Sequence, residues 1–331
     1  MTTVTPSAVL DDRAAYAAVL AASPQRTIFA QAWWLDAATG AASGWIPVVV
    51  RAPDGAPRAA WPLVLHGAGT AARVGTGAPY TPFLGPLLPA AEDGPNRVSS
   101  DVRATEELAA AVADWAHVEA ACAPEFDYWT PLAWHGFAQT TRTTWRIAAG
   151  QSADAVRSAM RKGTRSALTA AERDGLTVGP ATVEELLDAC AGTFSRQAGA
   201  AVPNRAALQR VATAALNAGH GEILGVRTPD GRLASAGLFV YDDRWTWNLA
   251  NGRPAGIDAT GAPTLLVWHA ILGALARGTG FDFEGSMLRP VEQFVRGFGG
   301  TPVPYSVVTR STPAWRRRVA RRRTLKRLLR R

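Results

Sequence analysis

The chain has 331 residues, 47% of them hydrophobic, enough for two domains with their own cores and too apolar for a disordered chain. Cys122 and Cys190 show no CxxC spacing and the five histidines form no HxxxH or HExxH pair, so neither a disulfide framework nor a metal site is expected. The net charge of +8 belongs to one segment: residues 315–331 hold nine arginines and Lys326 without an acid, and removing those ten charges leaves −2.

The chain opens with Asp11, Asp12 and Arg13 where a leader would need a basic start and an apolar core, so no signal peptide is expected. Asp12 to Leu20 and Phe29 to Ala37 read as helices. Trp45 to Arg51 and Ala59 to Leu65 flank Pro53-Asp54-Gly55, a hairpin signal. Pro79 to Pro86 is too rich in proline for a central strand and is expected at an edge or as a loop lining a cleft. Glu106 to Cys122 reads as one helix, with Leu108, Val112, Trp115 and Val118 on its apolar side. Phe126 to Leu132 and Thr143 to Ile147 read as strands.

The second half repeats that order of elements. Helices are expected over Ala153–Arg173, Val183–Gln197 and Arg205–Ala218. A hairpin follows, Glu222–Arg227 and Leu233–Val240 around Pro229-Asp230-Gly231, then a strand from Trp245 and a helix from Thr264 to Arg277. Residues 262–276 are apolar but broken by His269, short of the ~20 residues of a membrane span. The repeated order predicts two domains in tandem, residues 1–149 and 150–312, ahead of a basic tail at 313–331.

The most informative stretch runs from Phe281 to Tyr305. Phe281 and Phe283 alternate with Asp282 and Glu284, the period of a strand with one apolar face. Gly285-Ser286 breaks the strand, and Pro290 suits the first turn of a helix. Val291, Phe294, Val295 and Phe298 form its apolar stripe, and Gly299-Gly300 stops it. Glu284, Ser286 and Arg296 are thereby expected near the C-terminal end of a sheet strand, where open α/β sheets bind ligands.

This FDFEGS…F.R.FGG…PY segment resembles the closing motif of FemAB-like acyltransferases of the GNAT superfamily. Residues 158–178, Thr193-Phe-Ser-Arg-Gln197 and Thr264 to Ile271 fit the same pattern. The resemblance covers residues 150–310 firmly and the earlier part weakly. It implies an α/β fold of two tandem GNAT-like domains, mixed sheets flanked by helices, and transfer of an acyl group to an amine. The donor it implies is acyl-CoA or an aminoacyl-tRNA, with no bound cofactor. The acceptor it implies is a small molecule or a peptidoglycan precursor. A noncatalytic binding protein for an anionic partner is the reading outside the enzyme class.

Acyl transfer needs a neutral amine, a polarised donor carbonyl and a path for protons, which such folds supply by positioning and a base. Glu284 and Ser286 are the catalytic candidates, although Glu284 could equally cap the turn or pair with Arg289 or Arg296. Lys162, Arg165, Arg196, Gln197, Arg296 and Tyr305 are the substrate-binding candidates. Against those assignments stand a solvated charged helix for Lys162 and Arg165, a cationic helix end for Arg196 and Gln197, and an i,i+4 pair with Glu292 for Arg296. Arg253, Gly256 and Gly261 fall where the family carries a pyrophosphate-cradling loop before a helix. Here the loop departs from the pattern, because Ile257-Asp258 follows Gly256 and Asp258 would repel a pyrophosphate. On a helical wheel Arg318, Arg321 and Arg322 share the arc of the tail's apolar residues. Electrostatics is therefore expected to dominate the tail, its partner being tRNA or an anionic membrane surface. The expected location is cytoplasmic, peripheral at the inner membrane face.

Overall fold

The computed structural model describes residues 8–10, 12–66, 73–90, 96–198, 201–257 and 259–328. Asp11, Asp258 and residues 329–331 of the tail lie outside them. The elements in chain order begin with β1 (Ala8–Leu10), α1 (Arg13–Ala22), α2 (Ala32–Thr39), β2 (Trp45–Arg51), β3 (Pro57–Leu65) and β4 (Val74–Thr76). Next come α3 (Arg97–Ala111), β5 (His117–Ala121), α4 (Thr130–Trp134), β6 (Ala138–Ile147), α5 (Ala153–Ala159) and α6 (Lys162–Arg173). Then follow β7 (Thr177–Pro180), α7 (Val183–Ala198), α8 (Arg205–Asn217), β8 (Gly221–Arg227), β9 (Leu233–Tyr241) and β10 (Trp245–Gly252). The chain closes with α9 (Ala262–Arg277), β11 (Gly280–Asp282), α10 (Arg289–Arg296), β12 (Thr301–Ser311) and α11 (Pro313–Leu328). It divides into two compact units, Met1–Arg142 with Tyr305–Arg331, and Thr143–Pro304.

In the first unit β1, β2, β3 and β4 pair antiparallel in that order. β4 then runs parallel to β5, and β5 antiparallel to β12. Asp12 caps α1 by accepting from the Ala15 N–H at 2.9 Å, satisfying one of the helix's orphan donors. Trp61, Leu63, Leu108, Val112, Trp115 and Val118 pack into one buried cluster under α3. The expected helix over Glu106–Cys122 is corrected: α3 stops at Ala111, and His117–Ala121 is a strand. Val118 and Ala120 point inward between more exposed neighbours, a period of two that an alanine-rich run hides. Phe126 to Leu132 is likewise no strand; Pro131 sits in the first turn of the short helix α4.

The second unit is built on β6, β11, β10, β9, β8 and β7 in spatial order. Every neighbouring pair is antiparallel except β10 with β11. α9 and α7 lie on opposite faces of this sheet. A Cβ at Gly237 would meet Leu266 of α9 at 3.1 Å, whereas one at Gly252, on the alternate face, would strike the backbone of α7 at Ala189. Leu265, Leu266, Val267 and Ile271 of α9 bury against Phe239, Phe281, Phe283 and Phe298. The expected single helix over Ala153–Arg173 is two, because Met160 and Arg161 are extended and the Arg161 N–H donates to the Gly297 carbonyl at 2.9 Å. The strand at Phe281 also differs from expectation. Asp282 is fully buried instead of facing solvent, so both faces of β11 are covered.

Candidate active site

β10 and β11 run side by side through three pairs, Trp245 with Gly280, Thr246 with Phe281 and Trp247 with Asp282. Beyond that they separate. β11 ends at Asp282, and the register of β10 against β9 slips between Asn248 and Ala250, a bulge centred on Leu249. A cavity of about 620 Å³ opens at these strand ends, within the second unit. Ser235, Asn248 and Asn251 line it from the sheet, Thr193 and Arg196 from α7, and Pro263 and Thr264 from the first turn of α9. Val291, Phe294 and Val295 of α10 supply an apolar wall. Phe283, Glu284, Gly285 and Ser286 complete the lining.

The turn that presents Glu284 is unusual in backbone and in charge. The Phe283 N–H donates to the Trp145 carbonyl at 2.9 Å, carrying the β6 pairing one residue past β11. Glu284 then adopts φ +61 and Gly285 φ +54, both left-handed. For a glutamate that conformation is costly and has to be stabilised by its surroundings. A Cβ at Gly285 would run into the Thr143 carbonyl, so only glycine fits there. The Glu284 N–H donates to Asp282 Oδ1 at 2.8 Å. Asp282 also accepts from Arg146 Nε at 2.7 Å and from the Thr144 hydroxyl. Arg146 lies over the Trp245 ring, its guanidinium carbon 4.1 Å from the centroid.

Glu284 as a whole is half-buried, yet its Oε1 is buried without a hydrogen-bond partner. Burial pushes its carboxyl well above the usual carboxylate range, and the Asp282 charge adds to the rise. Burial raises Asp282 too, opposed by the Arg146 guanidinium it pairs with. A carboxyl raised above its ordinary value in a cavity is equipped to take and return protons.

Other expected site residues are placed as follows. Ser286 lines the cavity, and its hydroxyl oxygen accepts from the Leu288 N–H at 3.1 Å. Arg196 lines it as well, donating to the Pro254 and Arg253 carbonyls at 3.0 Å each, which clips the loop after β10 to α7. Gln197 follows on the same helix. Arg253 is on the cavity wall, its N–H donating to Thr193 Oγ1 at 2.9 Å. Gly256 forms a turn at φ +76 away from the cavity lining. Gly261 stands at the start of α9, where a Cβ would lie 2.6 Å from the Ala167 carbonyl of α6, so it serves helix packing. Lys162 and Arg165 line a separate shallow depression of about 420 Å³ on α5 and α6, where Arg165 donates to the Ser158 carbonyl at 3.1 Å and to that of Met160. Arg296 pairs with Glu292 at 2.9 Å, outside the cavity lining. Tyr305 belongs to the first unit, its ring edge-on to Phe83 with centroids 5.1 Å apart.

Sequence reasoning missed Asp282, Arg146 and Thr144. The available signal was an arginine in the middle of the strand Thr143 to Ile147, where a buried position demands a partner acid. Among the described residues no group of three metal-ligating side chains occurs, and no helix is long and apolar enough to cross a membrane.

Residues 154–294 match the family model of the acetyltransferase (GNAT) domain. No curated protein matches in sequence. Among solved structures, FemX superimposes with a TM-score of 0.63 at 12% identity, over 90% of this chain and 96% of its own. A conserved protein of unknown function from Bacteroides thetaiotaomicron gives 0.58 at 10% identity, over 89% and 96%. The C-terminal domain of a protein named as a lysylphosphatidylglycerol synthetase, from Agrobacterium fabrum, gives 0.53 at 12%, over 91% and 92%. At these identities the likeness is one of fold. Residues 154–294 therefore match a GNAT acetyltransferase domain, and the chain as a whole shares its α/β fold with FemX.

Proposed function

We propose that the cavity at the ends of β10 and β11 is the site of acyl transfer, with Glu284 as the general base. The observation that carries this is the Glu284 carboxyl itself, lining the cavity with a buried, unpartnered Oε1 and a raised pKa. In the reaction the acceptor amine attacks the donor carbonyl carbon. A C–N bond forms, the bond from that carbon to the carrier's sulfur or oxygen breaks, and the amine proton passes to Glu284. The carrier leaves as a thiol or alcohol after regaining a proton. Backbone groups freed at the Leu249 bulge, with the Ser286 hydroxyl, are suited to polarise the donor carbonyl. Arg196 and Arg253 on the wall suit an anionic group on one substrate, such as the phosphates of a peptidoglycan precursor.

One observation favours the aminoacyl ester of tRNA over a CoA thioester as donor. A pyrophosphate cradle needs open backbone N–H groups at a helix start. At the start of α9, Gly261 is packed on α6 and Pro263 has no N–H to offer. The exposed Arg316, Arg317, Arg318 and Arg321 of α11 suit a nucleic-acid carrier or the inner membrane face, and the reaction is then cytoplasmic. The test is to offer the purified chain acetyl-CoA and a charged tRNA pool separately, each with an amine-bearing peptidoglycan precursor, and follow the acceptor by mass spectrometry. Acceptor modified from charged tRNA is expected. Modification only from acetyl-CoA would overturn the donor assignment, and binding without modification in either arm would return the chain to a binding protein.

A further inference from the structure

We infer that Asp282 is a positioning residue for acyl transfer, the member of a buried Thr144–Arg146–Asp282 network that holds the Glu284 turn in its working geometry. This rests on the reading of Glu284 as base. Three donors converge on the Asp282 carboxylate: Thr144 Oγ1, Arg146 Nε at 2.7 Å and the Glu284 N–H at 2.8 Å. The last of these is the backbone of the proposed base, two residues away, in a left-handed conformation that a glutamate does not adopt without support. Arg146 is in turn fixed on the face of Trp245. The network joins β6 to β11 just where the cavity begins, so it holds the backbone of the turn that carries Glu284.

The arrangement has an electrical consequence. Charged groups on the elements around Glu284 are Asp282 on β11, Arg146 on β6, Arg196 on α7, Arg253 after β10, and Arg289, Glu292 and Arg296 on α10. Of these, the Asp282 charge is the one that acts on Glu284, raising it beyond what burial alone does. Replacing the pair by neutral groups therefore changes both the support of the turn and the field at the cavity carboxyl.

The experiment measures kcat, KM and the pH profile of kcat/KM for two sets of full-length variants. Asp282→Asn combined with Arg146→Gln replaces the ion pair by a neutral amide pair and avoids stranding a buried arginine charge. Thr144→Val removes one donor to Asp282, and Thr144→Ser restores it. For the double variant the acid limb is expected to move down by about one pH unit, with kcat about tenfold lower and KM within about twofold. Thr144→Val should lose kcat several-fold and Thr144→Ser should recover it. If the double variant is too unstable to assay, the Thr144 pair alone decides the matter by recovery or its absence. Unmoved pH limbs with a lowered melting temperature would overturn the role of Asp282 while leaving Glu284 as base. Full activity in Glu284→Gln would overturn the base instead, so the two failures are distinguishable.

Discussion

Among the described residues each unit contains one parallel strand pair, and the two differ in what lies past its end. In the first unit β4 and β5 are followed by packing. Leu84 donates to the Ala121 carbonyl at 2.8 Å, and Gly85 is so close that a Cβ would lie 2.8 Å from the Cα of Cys122. Phe83, Leu84 and Leu87 are buried there, and burial alone pushes the Cys122 thiol far up, leaving it inert. In the second unit β10 and β11 open on the cavity, with a glutamate whose carboxyl oxygen has nothing to bond. The same strand arrangement can therefore end in a plug or in a site. Chemistry follows the residues at the strand end rather than the topology.

The largest effect expected from this contrast is at Glu284. Glu284→Gln should lower kcat about 10²-fold or more, the size of a lost general base. It should not lower the melting temperature. Because the folded-state pKa of Glu284 is raised, its stability contribution is complete below the ordinary value of 4.5 and is lost as pH rises through the raised one. The amide lacks that loss, so the variant should gain melting temperature over the parent between acid and neutral pH. Melts at both pH values check this, and a destabilised variant at neutral pH would count against a strained, unpartnered carboxyl.

Glycine substitutions sharpen the comparison. Gly285→Ala should depress kcat about tenfold or more and the melting temperature together, since it collides with the Thr143 carbonyl at the turn that carries Glu284. Gly85→Ala should cost about 1–3 kcal/mol by overpacking against Cys122 and leave kcat per folded molecule unchanged. Activity assays normalised to folded fraction separate the two. A loss of kcat in Gly85→Ala would mean that the first unit's strand end is not a plug.

Much of the second unit was legible in the residues. Proline and glycine punctuate Phe281 to Gly300, and α7, α8, β8, β9 and α9 lie close to where periodicity put them. What was not legible depended on distant partners. Asp282 looked like an outward residue because its neighbours alternate, and its burial is made tolerable by Arg146, 136 residues earlier. The break at Met160-Arg161 is set by the Gly297 carbonyl, which no local pattern announces. His117 to Ala121 was lost among alanines, whose small side chains suit helix and strand alike. Glu284 and Ser286 could be placed at a strand end from the sequence, but the cavity beside them could not.

Smaller effects belong to the charged surface. Trp315 stacks on His117 with centroids 5.6 Å apart, so deleting the whole tail would disturb the first unit's packing. Replacing Arg316, Arg317 and Arg321 by Gln keeps that anchor. It should reduce the slope of log affinity for tRNA against log salt by about 2, at roughly 0.7 for each phosphate no longer neutralised. An unchanged slope would make α11 a bystander. Smallest of all, Arg296→Ala removes a partly exposed i,i+4 pair and should cost about 0.3–0.5 kcal/mol with KM unchanged. A tenfold rise in KM would bring Arg296 back to the substrate.

The most direct test of the account is the pH dependence of kcat/KM for the parent chain and Glu284→Gln, measured with the same donor and acceptor. The parent should show an acid limb with a midpoint well above 4.5, and the variant's residual activity should lack that limb. The same limb in both proteins would show that another group takes the proton and would contradict the assignment of Glu284.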